Sequence, residues 1–229
     1  MAEPVKTRGY NSPRRREQAA TTRREILGAA QRLFESQGYP ATTMAAIAAE
    51  AGVALKTVYV AFETKAGVLR ALWKLLLRGG EEEVPVAERP WYREVVEEPD
   101  PERQLRLNAR NSRVVKERIA GVLQVIRNAA PVDPAIAALW DRVENEFHAN
   151  QRVIVKSLDE KNALRADLDV TRATDILWTL NHPDVWHLLV DERGWSAEDY
   201  ERWFADTACA QLLGRQGRSR GSQAGTARR

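Results

Sequence analysis

The side chains that most often carry enzyme chemistry are few in this sequence, and their spacing does not favour catalysis. The 229 residues include three histidines, His148, His182 and His187, and one cysteine, Cys209. The histidines lack the His-Glu-X-X-His spacing of a zinc site, and no glycine-rich phosphate loop or serine nucleophile elbow occurs. A lone cysteine cannot form an internal disulfide and is expected to be a small, half-buried apolar residue. The sequence therefore predicts no catalytic site, no metal and no cofactor.

A different chemistry, hydrogen bonding to nucleic acid, is indicated by residues 42–62, TTMAAIAAEAGVALKTVYVAF. Thr43 can cap a short helix with an apolar face, and Gly52 follows where a left-handed helix end favours a residue without Cβ. A second short helix is predicted from about Leu55 to Ala61. Two short helices joined by such a turn form the motif whose second helix enters the major groove. The alternative is a helical hairpin that only packs.

The flanking residues extend this pattern into a three-helix domain. A first helix is predicted from about Thr22 to Gln37, ending at Gly38, and an apolar helix follows Lys65. Residues 22–79 resemble the DNA-binding domain of the tetracycline-repressor-like (TetR) family of bacterial transcription regulators. The residues that carry the resemblance are Ala29, Ala30, Leu33, Phe34, Gly38, Tyr39, Thr42, Thr43, Ile47, Ala48, Ala51, Gly52, Val53, Thr57, Val58, Tyr59, Phe62 and Lys65.

The resemblance implies contacts with a double-stranded, pseudo-palindromic DNA operator. Base contacts are expected from Lys56 and Thr57, and Leu55 at a base-facing position can touch only a thymine methyl. Phosphate contacts are expected from three further residues, Thr43, Tyr59 and Lys65.

The sequence departs from the family pattern at two places in this motif. Ala54 stands where most relatives carry a small polar residue. Val60 and Ala61 stand where relatives carry a histidine or aromatic pair, which removes a usual phosphate contact.

Positive charge is concentrated at the two ends of the chain. The net charge is +3, but residues 1–24 carry +5, residues 214–229 carry +5, and the remainder carries −7. Arg14, Arg15 and Arg16 precede the helix-turn-helix and are expected to contact DNA backbone or minor groove. The alternative for this arm is a solvated, disordered end, which is the expectation for the tail.

The remaining sequence predicts helices and no strands. Helices are expected at about 91–97, 102–129, 134–161, 170–193 with an interruption at Pro183, and 197–214. The fold class is therefore all-α, with an N-terminal three-helix reader and a C-terminal helical bundle for ligand binding and dimerisation. The predicted division is a basic disordered arm 1–20, the helix-turn-helix domain 21–65, a connecting helix 66–80, the ligand-binding and dimerisation domain 81–213, and a disordered tail 214–229.

Polar residues interrupt the apolar stripes of the three long helices and predict an effector site between them, which the resemblance also implies. The candidate residues are Asn108, Ser112, Trp140, Glu144, Phe147, Gln151, Trp178 and Asn181. With one carboxylate and several amides, a neutral or cationic, partly aromatic small molecule is expected to fit best. The alternative for each polar residue is that a neighbour or water satisfies it.

The resemblance implies a homodimer formed by the last two helices of each subunit. The expected interface residues are Trp186, Leu189, Val190, Tyr200, Trp203, Phe204, Thr207 and Gln211. No run approaches the roughly 18 apolar residues of a membrane span, so a cytoplasmic location without membrane contact is expected. The predicted function is a repressor released from its operator by a small molecule, and the alternative is a ligand-independent DNA-organising protein.

Overall fold

The computed structural model describes residues 13–78 and 88–214. Across these residues the protein is all-α without a β-strand, as the sequence predicts. The helices are α1 Pro13–Ala41, α2 Met44–Glu50, α3 Leu55–Phe62, α4 Lys65–Arg78, α5 Pro90–Glu97, α6 Pro101–Ala129, α7 Pro134–Glu160, α8 Val170–Leu180, α9 Pro183–Trp186 and α10 Ala197–Leu212. The predicted basic tail after Gly214 and residues 1–12 of the predicted arm lie outside the described residues.

The chain divides into two compact units that do not follow the predicted boundary at residue 80. Unit one comprises residues 1–86 and 114–146, and unit two comprises residues 87–113 and 147–229. The later part of α6 and the earlier part of α7 therefore belong with the helix-turn-helix. The sequence did not indicate this division because both helices carry apolar stripes along their whole lengths.

Unit one has one hydrophobic core that joins the helix-turn-helix to α4, α6 and α7. Its fully buried members include Phe34, Ile47 and Val58 from the first three helices and Leu69 from α4. The later segments contribute Ile119, Val122, Leu123, Val125, Ile126, Ala129, Ile136, Leu139 and Val143. Burial of this apolar area is the main force that holds these segments together.

The first helix begins earlier than the sequence prediction. It starts at Pro13, so residues 13–20, which were predicted to be part of a disordered arm, are helical. Proline is favoured in the first helical turn because its missing N–H has no partner there, and the residues Glu17-Gln18-Ala19-Ala20 include strong helix formers. The regular helix is interrupted at Gly38, with φ 77°, which confirms the predicted end near Gln37.

Unit two packs α5, α8, α9 and α10 with the remaining parts of α6 and α7. The buried side chains include Leu105, Ile154, Leu158, Leu177 and Tyr200. Hydrogen bonds add to this core at the start of α6. Gln104 Nε2 donates to Ser157 Oγ at 3.0 Å, and Ser157 Oγ donates to the Val96 carbonyl at 2.9 Å. Lys161 Nζ donates to Gln104 Oε1 at 2.7 Å.

The helix predicted for residues 170–193 is broken into separate segments. The first, α8, ends at Leu180, and Asn181 is its C-cap. Pro183 then starts α9, where the His182 side chain accepts a hydrogen bond from the Asp184 N–H at 3.2 Å. A π-helical segment, His187–Glu192, follows. Pro183 lacks an N–H and disfavours helical geometry in the residue before it, so the chain restarts a helix instead of bending one.

Within the described ranges, no single helix has both the length and the apolar character to cross a membrane. Helices α2 and α3 taken together have the length and apolar composition of a membrane span, but the pair is bent by 113°. Both helices of this pair contribute buried residues to the core of unit one.

Candidate nucleic-acid interface and polar cluster

The turn between α2 and α3 has the geometry that the sequence predicts. Thr43 Oγ1 accepts a hydrogen bond from the Ala46 N–H at 3.0 Å and so caps α2. Gly52 has φ 66°, and the next N–H, of Val53, is bonded to the Ala48 carbonyl at 3.0 Å. A residue with a Cβ is strained in this left-handed conformation, so glycine fixes the turn that sets the angle of α3.

Helix α3 divides into a buried side and an exposed side. Val58 is fully buried and Phe62 is 6% exposed, whereas Leu55 is 42% and Tyr59 is 48% exposed. Three further residues of this helix, Lys56, Thr57 and Val60, are also exposed. The predicted base-contacting and phosphate-contacting residues of α3 therefore share solvent access, on a short helix anchored by two core side chains.

The first turn of α3 has no side-chain cap. Ala54 is the N-cap residue and makes no side-chain hydrogen bond, while its carbonyl accepts from the Thr57 N–H at 2.8 Å. The departure from the family pattern at this position therefore removes one acceptor for the free N–H groups at the helix start.

Arg23 of α1 positions the other end of α3. Its Nη1 donates to the Ala61 carbonyl at 2.9 Å, and its guanidinium lies 4.2 Å from the centre of the Phe62 ring. A cation at a helix C-terminus satisfies a free carbonyl and interacts favourably with the helix dipole. The sequence indicates Arg23 only as one cation of the basic N-terminal end and does not predict this role.

The ammonium group of Lys65 is directed into the protein. Nζ donates to the Tyr39 carbonyl at 2.7 Å and the Thr42 carbonyl at 2.9 Å, and lies 3.5 Å from the Pro40 carbonyl. An ammonium group has three donors, and these carbonyls at the end of α1 account for them. Desolvation lowers the pKa of Lys65. These contacts favour a structural role for Lys65 over the predicted phosphate contact, which stays a prediction.

A second contact fixes the same loop to the start of α7. The Tyr39 hydroxyl donates to Asp133 Oδ2 at 2.6 Å, and the Lys65 ammonium lies 4.2 Å from the centre of the Tyr39 ring. This hydrogen bond is the main cause that lowers the pKa of Asp133, while burial raises the pKa of Tyr39. Tyr39, Lys65 and Asp133 thus connect the ends of three helices inside unit one.

The predicted arginine arm is the first part of α1. Arg14, Arg15 and Arg16 lie in its first turns, and Arg15 and Arg16 are exposed. The helix fixes the backbone of these residues next to the helix-turn-helix, so fewer degrees of freedom are lost when they contact a polyanion.

In unit two, three of the predicted effector-contacting residues form one hydrogen-bonded cluster. Asn181 Nδ2 donates to Ser112 Oγ at 2.9 Å and to Gln151 Oε1 at 3.4 Å. Asn181 is 1% exposed and Gln151 is 4% exposed. The structure thus brings together side chains from α6, α7 and the end of α8.

Two more predicted residues of unit two carry buried hydrogen-bond donors. Asn108 Nδ2 and Trp178 Nε1 have no acceptor within the described part of the chain. The Trp178 ring makes edge contacts with His148, at 6.0 Å between ring centres, and with His182, at 4.9 Å. His148 in turn is bonded to Asp175, with Nε2 and Oδ1 3.0 Å apart.

The other predicted effector residues are placed differently. Phe147 belongs to unit two and is half-buried, whereas Trp140 and Glu144 belong to unit one. Trp140 packs against the hydrophobic core of that unit. Lys116 of unit one, which the sequence did not indicate, is 5% exposed, and burial lowers its pKa well below the ordinary value. Its signal was weak because lysine beside an apolar stripe is usually exposed.

Three residues assigned to a dimer interface are core residues of unit two. Trp186 is 4% exposed, Tyr200 and Phe204 are fully buried, and the Trp186 and Tyr200 rings meet edge to face at 4.9 Å. An apolar stripe in the sequence shows that a face is covered but not by what, and within one chain these three side chains are covered by unit two itself. The other five predicted residues, Leu189, Val190, Trp203, Thr207 and Gln211, retain solvent access.

Two large apolar residues not predicted for this surface are also exposed, Leu188 at 51% and Trp195 at 36%. Trp195 packs edge to face on Trp203 at 6.3 Å.

Cys209 on α10 is half-buried, and burial raises the pKa of its thiol to about 11, so the reactive thiolate is disfavoured. Among the described residues, no group of three or more histidine, cysteine, aspartate or glutamate side chains is placed to hold a metal ion.

Comparison with known proteins agrees with this architecture. Residues 26–72 match the family described as bacterial regulatory proteins, tetR family. A comparison with curated protein sequences gives no match.

Solved structures share the fold over most of the chain. NalD of Pseudomonas aeruginosa, the secondary repressor of the MexAB-OprM multidrug efflux pump, has a TM-score of 0.66 and 21% identity, covering 86% of this chain and 98% of that one. A TetR transcription regulator from Haloarcula marismortui has a TM-score of 0.64 and 20% identity, covering 85% and 100%.

A Saccharomonospora viridis protein solved in complex with choline has a TM-score of 0.64 and 18% identity, covering 86% of this chain and 100% of that one. At such identities the likeness establishes the fold. Residues 26–72 are thus similar to the tetR family of bacterial regulatory proteins, and the chain as a whole shares the fold of these solved structures.

Proposed function

We propose that this protein is a homodimer that binds a pseudo-palindromic DNA operator and is released from it by a small molecule, as a repressor. The observation that carries the proposal is the exposed side of α3, where Leu55 and Tyr59 are nearly half exposed beside Lys56 and Thr57. A short helix held rigidly by Val58 and Phe62 presents these side chains outward. This is the arrangement by which a recognition helix reads base edges in the major groove.

The exposed residues divide into two chemical roles. Lys56 and Thr57 donate hydrogen bonds to base edges, and Leu55 contacts a thymine methyl. Thr43 and Tyr59 hold phosphates, since the Thr43 oxygen already accepts from Ala46 but its hydroxyl proton remains to donate.

Arg14, Arg15 and Arg16 add phosphate or minor-groove contacts from the first turns of α1. Each phosphate that a cation neutralises releases counterions from DNA, which makes affinity depend on salt. Such a role places the protein at DNA in the cytoplasm and requires no catalytic activity.

The exposed apolar residues of unit two support a homodimer. Leu188 and Trp195, with the half-buried Leu189, Val190 and Trp203, present apolar surface on the π-helical segment and α10. Thr207 and Gln211 continue along α10. A two-fold axis through such a surface repeats the recognition helix, and so matches an operator whose half-sites are about 34–36 Å apart.

The polar cluster of unit two supports an effector site. Ser112, Gln151 and Asn181 with Asn108 and Trp178 lie in a helical bundle, where buried polar side chains orient small ligands. A protein of the same fold has been solved with choline, which supports small-molecule binding by this fold. The effector releases the operator if it binds the non-binding conformation more tightly than the DNA-bound one.

The experiment is selection of bound duplexes from a random DNA pool, with the full chain and with Thr57→Ala. The wild type is expected to select a pseudo-palindrome, and Thr57→Ala to relax one base pair per half-site at a cost of about 1–3 kcal/mol. Lys56→Met is expected to alter selection too, whereas Lys74→Met, at an exposed lysine of α4, is the charge-matched control.

Recovery of DNA without any preferred sequence would contradict the proposal and favour the ligand-independent, DNA-organising alternative. A preferred sequence without a two-fold repeat would contradict the dimeric arrangement alone. Sedimentation with and without the selected duplex measures the stoichiometry directly.

A further inference from the structure

Two buried hydrogen-bond donors in the helices of the unit-two polar cluster have no acceptor among the described residues. Asn181 Nδ2 uses both Ser112 Oγ and Gln151 Oε1 as acceptors. Asn108 Nδ2 and Trp178 Nε1 are buried, and no acceptor for either lies among the described residues. Asn108 as a whole is only 6% exposed.

These two donors are joined to the cluster through their helices. Asn108 lies one turn from Ser112 on the same face of α6, and Trp178 lies one turn from Asn181 at the end of α8. The Trp178 ring is held by edge contacts with His148 and His182, so the direction of its N–H is set by packing. An indole nitrogen can only donate, so its missing partner must be an acceptor.

Buried donors without acceptors destabilise a folded protein, and apolar side chains of the same shape avoid that penalty. Leucine at position 108 and phenylalanine at position 178 would serve a bundle that needed only a core. The presence of two such donors beside a hydrogen-bonded cluster points to an acceptor supplied from outside the chain.

We propose that the effector of this regulator is a neutral, largely apolar small molecule with carbonyl oxygens that accept hydrogen bonds from Trp178 Nε1 and Asn108 Nδ2. The inference rests on the proposed function, since it names the class of effector for the proposed site. An organic cation is disfavoured, because an ammonium group brings further donors or positive charge toward N–H groups.

Charge near the cluster agrees with an uncharged ligand. Two titratable side chains in ring contact with Trp178 are His148 and His182, which lie beside the carboxylates of Asp175 and Asp184 respectively. Arg113 of α6 is engaged by Glu201 at 2.6 Å.

The test is calorimetric titration of the full chain with four probes that share one apolar scaffold. They are 2-acetylnaphthalene, which presents a carbonyl; naphthalene, which has no acceptor; 2-naphthylmethylamine, a cation at neutral pH; and 2-naphthoate, an anion. The ketone is expected to bind tightest. Trp178→Phe keeps an aromatic ring and removes the five-membered ring of the indole together with its N–H. Because both probes lose the same apolar contact, the ratio of ketone affinity to naphthalene affinity is expected to fall about fivefold.

Asn108→Leu is expected to weaken ketone binding to a similar extent. Trp91→Phe removes an indole N–H from α5 that is not one of the unpartnered buried donors; it is the matched control and is expected to leave all four affinities unchanged. Thermal unfolding of each variant is the control for retention of the fold.

Tighter binding of the amine than of the ketone would overturn the proposed class, as would a ratio of ketone affinity to naphthalene affinity that is the same in wild type and Trp178→Phe. Failure of all four probes to bind at millimolar concentration would overturn the site. The proposed DNA-binding function is tested separately, by the duplex selection, which uses no ligand. A selected operator together with amine-preferring binding would refute only the ligand class.

Discussion

The role of Lys65 gives the sharpest test of the structure, through the substitution Lys65→Met. Methionine keeps an unbranched apolar stem against the Tyr39 ring and removes the ammonium group. That group donates to the Tyr39 and Thr42 carbonyls at 2.7 and 2.9 Å, with the Pro40 carbonyl at 3.5 Å. The substitution therefore leaves the carbonyls at the end of α1 without their donor.

The expected effect is on stability and not on the salt dependence of DNA binding. A hydrogen bond to a charged group contributes about 1.5–3 kcal/mol, and bonds that share one donor group are not additive. Two good bonds and one long one therefore predict a loss of about 2–4 kcal/mol in the free energy of unfolding. Urea unfolding followed by circular dichroism measures this loss. Lys74→Met, at an exposed lysine of the same helix, is expected to change stability by less than about 0.5 kcal/mol.

The alternative role, a phosphate contact, makes the opposite prediction for the same variant. Loss of one phosphate contact lowers the slope of log affinity against log salt by about 0.9 and leaves the unfolding free energy unchanged. A wild-type urea midpoint in Lys65→Met, combined with that lower slope, would refute the structural argument. The slope is read from operator titrations between about 50 and 200 mM salt, the range in which such contacts change affinity most.

Three further predictions concern the same unit. Tyr39→Phe removes the 2.6 Å hydrogen bond to Asp133 and is expected to lower the free energy of unfolding by about 1.5–3 kcal/mol at neutral pH. That bond lowers the pKa of Asp133. Its stabilising effect is therefore present above the carboxyl's ordinary pKa of about 4 and is lost as pH falls through the lowered pKa. Urea unfolding of wild type and variant at several acidic pH values measures the difference, and a difference that does not shrink in acid would contradict this. Gly67→Ala places a Cβ 2.1 Å from the Phe62 carbonyl oxygen and is expected to destabilise the protein by more than about 1 kcal/mol. Gly28→Ala, whose Cβ has its nearest atom at 3.8 Å, is expected to stabilise it by about 0.5–1 kcal/mol. Equal melting temperatures for the two variants would show that the backbone near Gly67 relaxes. Replacement of Arg15 and Arg16 by alanine is expected to lower the salt slope of operator binding by up to about 1.8, and an unchanged slope would make the start of α1 inert toward DNA.

Local features of this protein follow from the sequence because they depend on residues close together in the chain. The cap at Thr43 joins atoms three residues apart, and the left-handed turn at Gly52 reflects the conformational freedom of one residue. Ser196, at the N-cap of α10, accepts from the Asp199 N–H at 3.0 Å, again between residues three apart. The exposure of the predicted base-contacting side chains also follows from the sequence, because the apolar residues Val58 and Phe62 mark the buried side of α3.

The break at Pro183 depends partly on the local sequence and partly on the tertiary structure. The missing N–H of proline predicts an interruption of the helix. Whether the chain bends or starts again depends on what satisfies the free groups, and here His182 caps the new helix. That choice requires the positions of side chains on both sides of the break.

The tertiary structure alone decided which distant groups are partners. Tyr39 and Asp133 are separated by 94 residues and meet because unit one packs the α6–α7 turn with the helix-turn-helix. An apolar stripe, likewise, requires a covering surface without specifying it, so Trp186, Tyr200 and Phe204 fit an interface in the sequence and a core in the structure. A lysine presents the same three donors to a phosphate or to carbonyls, and only the path of the chain around Lys65 places three carbonyls within its reach. Sequence periodicity is set by backbone geometry within a helix, whereas partner choice is set by packing between segments that local patterns do not relate.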